Sequence, residues 1–377
     1  MGRQGGVSSR TAGKTIRFSA VDMVGPRYKH RGSQQEKGPG SGRLRPTVHP
    51  AYARLLVVEL RKRGLGDQDI FVGTRLGWEQ LLEDDRFISF EQFARLARRG
   101  RELTGEGWLG LDVGRSMQVS SHGPVAYAMI ASRDVGQALD LAARYASLRM
   151  EVAELRIERK AERVELHLED RVGWGDLAEY VSSTILGSVT LLLETVSGGN
   201  LPDARMFLAH TRPAWENEYA SRLRGISLTF DAGRYVLDLP ASFLATPCIT
   251  ADPAAYEQAL RLCERAAAQR SAGDDFVQRV LDSLLECEGE YPSLSETASA
   301  LHVSDRTLIR KLKAQGTSYQ NLLDDVRQEL TVWYLKHTDL SIESIAVRVG
   351  YRDPSNFSRT CKRWFGTTPS AIRDGAL

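Results

Sequence analysis

From Pro50 onward, apolar residues recur mostly at helical spacing, interrupted by a central region where they alternate with charges. Leu55, Leu56, Val58 and Leu60 precede the basic run 61–63 and Gly64, a pattern that predicts a helix with a defined stop. Ser89 with Gln92 three residues on has the form of a capping box, and Phe93, Leu96 and Ala97 continue as one apolar face. Small residues after Gly123-Pro124, then Leu139, Ala142, Tyr145 and Ala146 within 135–148, predict two further helices. The period then changes. Ala153, Leu155 and Ile157 alternate with charges, as do Val164, Leu166 and Leu168, which predicts a hairpin across the polar tip 160–162. Residues 177–196 read as a long helix buried on most sides, with short strands at 205–209, 226–230 and 235–239. Asp252-Pro253 predicts a helix start, 271–273 a small break, and 276–285 another helix.

The last 80 residues carry one pattern twice. In the first copy Ala298 and Leu301 sit on a short helix, 302–304 form a turn, Ser304 is placed to cap, and Leu308 and Leu312 face inward on a second helix from Asp305. Arg306, Arg310 and Lys313 then fall on outward faces. In the second copy Ile345, Ala346 and Val349 support, Gly350 turns the chain, and Phe357 and Cys361 point inward. Ala298 and Ala346 are 48 apart and Leu308 and Phe357 are 49 apart, so the second turn holds one extra residue. A helix over 318–336 separates the copies, with Leu322, Val326, Leu330 and Trp333 on one stripe. At about 1.5 Å per residue it is roughly 28 Å long. That approaches the roughly 34 Å between successive major-groove faces on one side of B-DNA.

Charge changes the picture once it is divided. The net +2 of the 377 residues hides 10 basic and 2 acidic side chains in 1–47, 28 and 37 in 48–290, and 12 and 9 in 291–377. An anionic partner is expected at one end of the chain. The first 47 residues have too few large apolar side chains to offset the entropy of ordering and read as a disordered basic tail. Four separated cysteines form no C-x-x-C, no apolar run approaches the roughly 20 residues that span a bilayer, and no signal-peptide pattern opens the chain. These features predict a cytoplasmic protein without membrane, metal or cofactor.

The segment GTSY at 316–319, Arg327, Leu335, the run SIESIAVRVGYRDPSNFSR at 341–359 and GTTPSAIR at 366–373 resemble the DNA-binding domain of the AraC/XylS family of bacterial transcription regulators. Cys361, Thr331 and Ile372 depart from the residues usual there and fall at packing positions. The resemblance implies base contacts from Arg306, Arg310, Ser355 and Arg359, and phosphate contacts from Ser304, Thr307, Lys313, Asn356, Lys362 and Arg363. Arginine suits the first role, because its fork donates bidentately to guanine O6 and N7. The acidic middle resembles the sensor domain of arabinose-binding or ornithine-utilisation type regulators, through Leu109-Gly110-Leu111, Ser121-His122-Gly123, Ala138-Leu139 and Arg144-Tyr145. That resemblance implies a small-molecule effector, for which Trp108, His122, Tyr127, Trp174, Tyr180, His210 and Trp215 are candidate contacts, and a capacity to form homodimers.

The resulting fold class is α+β: a mixed α/β sensor and dimerisation domain over 48–250, a helical linker over 251–290, and an all-α DNA-binding domain over 291–377 with two helix-turn-helix motifs joined by a long helix. The partners implied are double-stranded promoter DNA, an effector and, for an activator, RNA polymerase. A literal G-x-G-x-x-G at 105–110 follows a helical segment where a dinucleotide site needs a strand, and no acidic residue in a βαβ context follows it. No G-x-S-x-G, P-loop or H-E-x-x-H occurs, so an enzyme is not expected. Two alternatives stay open: a catalytic or metabolite-binding domain fused to a DNA-binding module, and a regulator that only dimerises.

Overall fold

The computed structural model describes residues 43–83, 87–287 and 289–375. The expected disordered tail therefore lies outside the described residues up to 42, but not beyond. Residues 43–47 are placed: Pro46–Val48 is a strand, β1, and Leu44 is buried in a core made otherwise of C-terminal helices.

The N-terminal domain begins with α1 (Pro50–Lys62), two single-turn helices, α2 (Asp67–Ile70) and α3 (Trp78–Leu81), the strand β2 (Ile88–Ser89) paired with β1, and α4 (Phe90–Thr104). Both arms of the capping box on α4 form: Ser89 Oγ accepts from the Gln92 amide at 3.1 Å, and Gln92 Oε1 accepts from the Ser89 amide at 3.0 Å. Then come α5 (Leu109–Arg115), α6 (Pro124–Ile130) and α7 (Val135–Tyr145), the hairpin β3 (Ala153–Arg159) and β4 (Arg163–Asp170), and the helix α8 (Ala178–Ser197). The domain closes with β5 (Arg205–Phe207), α9 (Glu216–Arg222), β6 (Ser227–Thr229) and β7 (Tyr235–Pro240).

Five strands form one sheet in the order β3-β4-β7-β5-β6, antiparallel except for the parallel pair β5-β6. Its register aligns Ile157, Leu166, Leu237 and Met206 in one buried row across four strands. That row is why the charges of the hairpin face away from the core.

Helix α8 packs on α5 through glycines. A Cβ at Gly110 would lie 2.5 Å from the Tyr180 carbonyl oxygen, and one at Gly114 would overlap that of Thr184. The G-x-G-x-x-G at 105–110 thus has a structural use: Gly105 ends α4 in a left-handed cap, and Gly110 lets two helix backbones touch. Helix α8, with the turn before it, also corrects the expectation that no segment could span a bilayer. Gly175–Ser197 is long and apolar enough by length and composition, yet the apolar 18-residue stretch within it is 72% buried inside the fold.

Helix α10 (Pro253–Leu285) starts at the expected Asp252 cap but passes through 271–273 without the expected break. One glycine in a helix interior costs only about 1 kcal/mol. Burial fixes both ends of α10: Ala259 and Cys263 belong to the N-terminal core, whereas Phe276, Val277, Val280, Leu281 and Leu284 belong to a second core with Leu44.

The C-terminal region comprises α11 (Leu294–Ala300), α12 (Asp305–Ala314), α13 (Tyr319–His337), α14 (Ile342–Arg348), α15 (Pro354–Phe365) and α16 (Pro369–Arg373). Its first half packs Ala298, Leu308, Leu312, Leu322 and Val326 onto the end of α10. Its second half buries Leu335, Ile345, Val349, Phe357, Cys361 and Ile372. Cys361, Ile372 and Thr331 are fully buried, and the Thr331 hydroxyl donates to the Arg327 carbonyl at 2.7 Å.

Candidate nucleic-acid interface and effector region

The two helix-turn-helix units share their turn chemistry. In the first, the His302 amide donates to Ser299 O at 3.0 Å and the Val303 amide to Ala298 O at 2.9 Å. In the second, the Gly350 amide donates to Val347 O at 3.0 Å and the Tyr351 amide to Ala346 O at 2.8 Å. The pivot residue is left-handed in both, His302 at φ 55° and Gly350 at φ 83°. The extra residue of the second turn precedes its cap, since Ser304 caps α12 and Asp353 caps α15. Asp305 is drawn toward α11 by the Ser295 hydroxyl, which donates to it at 2.6 Å.

These caps fix which side chains remain available. On α12, Arg306, Arg310 and Lys313 are exposed and form no ion pair among the described residues. On α15, Ser355, Asn356, Arg359, Lys362 and Arg363 are likewise exposed, and its four polar or basic long side chains lack ionic partners among the described residues. Ser304 and the half-buried Thr307 are engaged locally, with hydroxyl oxygens 3.0 Å apart at the cap. Two other cations in the region have structural neighbours: Lys311 lies over Phe276 at 4.4 Å, and Arg327 lies between Tyr291 and Tyr351. Sequence reasoning passed over Ile309, which is exposed on α12 between Arg306 and Arg310. Its signal was present, since an apolar residue at an outward position is what a thymine methyl would meet. Helix α13, with 19 residues, separates the two units by roughly 28 Å.

The seven aromatic and histidine residues expected at an effector site do not converge on one cavity. Trp174, His210, Trp215 and Trp108 form one chain of ring contacts, linked through Tyr235 and Tyr219, with successive centroids 5.2–6.1 Å apart. Tyr180 packs against Phe93 on the neighbouring face of α8. His122 belongs elsewhere, between the Tyr52 hydroxyl at 3.2 Å and the Ser188 hydroxyl at 3.0 Å. Tyr127 is on the surface. Burial, with Arg149 adding to it, pushes the His122 pKa down to about 4, and burial does the same to His210. Both imidazoles are therefore neutral near pH 7. None of the seven lines the cavity of about 560 Å³ found between α7 and α10.

One trio on the polar face of the sheet has metal-ligand chemistry. His167 Nε2 lies 2.9 Å from Glu165 and 3.4 Å from Glu158. The chain already compensates the charge there, with Lys160 at 2.5 Å from Glu165 and Arg156 at 3.7 Å from Glu158.

Residues 64–248 match the family described as the arabinose-binding domain of AraC transcription regulator, N-terminal, and residues 297–375 match a helix-turn-helix domain family. The chain is 31% identical over 327 residues to the ornithine utilization regulator of Pseudomonas aeruginosa, covering 87% of this chain and 96% of that one. It is 22% identical over 287 residues to the HTH-type transcriptional regulator VqsM of the same species, covering 70% and 83% respectively. Among solved structures it resembles the transcriptional regulator CdpR from Pseudomonas aeruginosa, at 23% identity and a TM-score of 0.43 over 86% of this chain and 98% of that one.

Proposed function

The chain belongs to the AraC family of DNA-binding transcription regulators, and from that premise we propose that α12 and α15 enter two successive major grooves of promoter DNA. The observation that carries this reading is the set of exposed basic side chains without ionic partners among the described residues, on two helices at opposite ends of one 19-residue strut. In it, Arg306, Arg310, Ser355 and Arg359 read bases. Lys313, Asn356, Lys362 and Arg363 grip phosphates, with Ser304 and Thr307 at the first cap. Phosphate contacts set register, and base contacts set sequence preference. Two units in one chain reach both grooves, so a second copy or RNA polymerase is an additional partner rather than a requirement for binding.

The N-terminal domain, in the same reading, senses a small molecule and performs no chemistry. The name of the ornithine utilization regulator directs the first effector tests to amino acids. Footprinting the full chain on DNA upstream of its own gene is expected to protect two segments about one helical turn apart. Arg359→Ala should lower affinity for that site by about 1 to 3 kcal/mol while changing binding to random DNA far less. Protection of a single segment, or equal losses on both DNAs, would remove the two-groove assignment.

A further inference from the structure

We infer that the cavity between α7 and α10 is an effector site for a small zwitterionic carboxylate of the α-amino-acid type, a proposal that rests on the effector reading above. Its volume of about 560 Å³ falls within the range of small-molecule sites, roughly 300 to 1,000 Å³. Its rim is preformed. Asp134 Oδ1 caps α7 by accepting from the Gln137 amide at 2.8 Å, Gln137 Oε1 accepts from the Arg133 amide at 2.7 Å, and a Cβ at Gly136 would already crowd the Leu244 carbonyl.

The chemistry of the lining selects the ligand class. Two of its three guanidinium groups are neutralised within the chain, Arg133 by Asp134 at 2.7 Å and Arg159 by Asp140 at 2.7 Å. Arg144 forms no ion pair among the described residues and lies over the Tyr145 ring at 5.2 Å. One positive charge is thus left to meet a carboxylate, and Asp140, whose Oδ2 accepts no hydrogen bond among the described residues, keeps an acceptor for an ammonium group. Tyr256 and Leu260 offer apolar wall to a side chain.

The position of the cavity connects it to the DNA-binding helices. Tyr256 and Leu260 stand on the first turns of α10, and the last turns of the same helix carry Val280, Leu281 and Leu284 into the core beneath α12. A ligand that draws α7 and α10 together acts on a helix shared by both domains. Such a ligand stabilises the conformation it prefers by its difference in affinity between the two.

The test is thermal melting of the full chain with each of the twenty common L-amino acids and L-ornithine, read beside affinity for footprinted DNA. At least one amino acid should raise the melting temperature and change DNA affinity. Its decarboxylated amine should do neither. Arg144→Gln, a surface change expected to melt with wild type in the absence of ligand, should weaken the response about tenfold or more, as loss of a charge-assisted contact does. Tyr256→Ala should weaken it from the α10 side. Equal responses in wild type and Arg144→Gln would overturn the site and leave the effector reading standing. A response only to molecules without a carboxylate would overturn the ligand class. If no small molecule shifted melting or DNA affinity, the effector reading itself would fail, and this proposal with it.

Discussion

His302 and Gly350 occupy the same pivot in the two helix-turn-helix units, yet only one of them is glycine. A side chain at positive φ carries a conformational cost of roughly 1 kcal/mol, because Cβ crowds the following carbonyl. The imidazole of His302 is exposed, so nothing packed would be lost with it. His302→Gly is therefore expected to stabilise the first unit by about 0.5 to 1 kcal/mol, relief of strain outweighing the added freedom of the unfolded chain. Urea unfolding followed by fluorescence would show a higher midpoint at unchanged slope. A lower midpoint would mean that unfolded-chain entropy wins. The same pair shows why residue identity is a partial guide: the glycine at 350 announced its turn in the sequence, whereas His302 was read as a turn only through its neighbours Ala298, Ser304 and Leu308.

At the scale of elements, the contact of α5 with α8 depends on the absence of side chains. A methyl group at Gly114 would overlap the Thr184 carbonyl oxygen, and backbone on the facing helix cannot rotate away as a side chain can. Gly114→Ala should cost about 1 to 3 kcal/mol through overpacking, lowering the melting temperature of the N-terminal domain. An unchanged melting temperature would show that the two helices separate at little cost. Elements built on local signals were legible in the sequence. The capping box at Ser89, the alternation of the hairpin and the caps at Ser304 and Asp252 each lie within a few residues of what they specify. What was not legible depends on distance along the chain. Leu44 packs against residues more than two hundred positions away, α10 is held continuous by cores at its two ends, and the α7–α10 cavity joins surfaces separated by an entire sheet. The aromatic residues expected to bind an effector are typical of pockets, but burial of ring area serves a core equally well.

At the scale of the whole molecule, the two domains meet through buried charge. Asp325 and Glu329, on successive turns of α13, face Arg75 at 3.1 Å, Arg95 at 4.0 Å and Arg43 at 3.4 Å. Glu91 of α4 sits among the same cations, 3.0 Å from Arg43 and 3.3 Å from Arg95, and Arg98 joins it to Asp176. Burial works against the Glu91 carboxylate, but Arg95, Arg98 and Arg43 overcome it and hold its pKa below the usual range. The carboxylates of α13 fare worse. Burial raises Asp325 to about 6 despite Arg95 and Arg75, and burial with the nearby Glu91 raises Glu329 to about 7. Because these two folded-state values lie above the unfolded ones, their contribution is fully present below about pH 4 and is lost as pH rises through 6 and 7. Glu91 has the opposite sign, but its contribution changes only in more acidic solution. Between pH 6 and 8 this contribution should therefore weaken as pH increases; because the depressed His122 and His210 act in the opposite direction over the same range, it is read as the difference in melting temperature between wild type and a variant at Glu329. Glu329→Gln keeps the shape of the side chain and removes its ionisation, so the variant should gain on wild type as pH rises from 6 to 8 and melt higher than it at pH 8. Identical slopes in the two proteins would place the pH dependence elsewhere. Since α13 is also the strut between the two recognition helices, footprints recorded at pH 6 and 8 would show whether loosening this contact changes how the strut meets DNA.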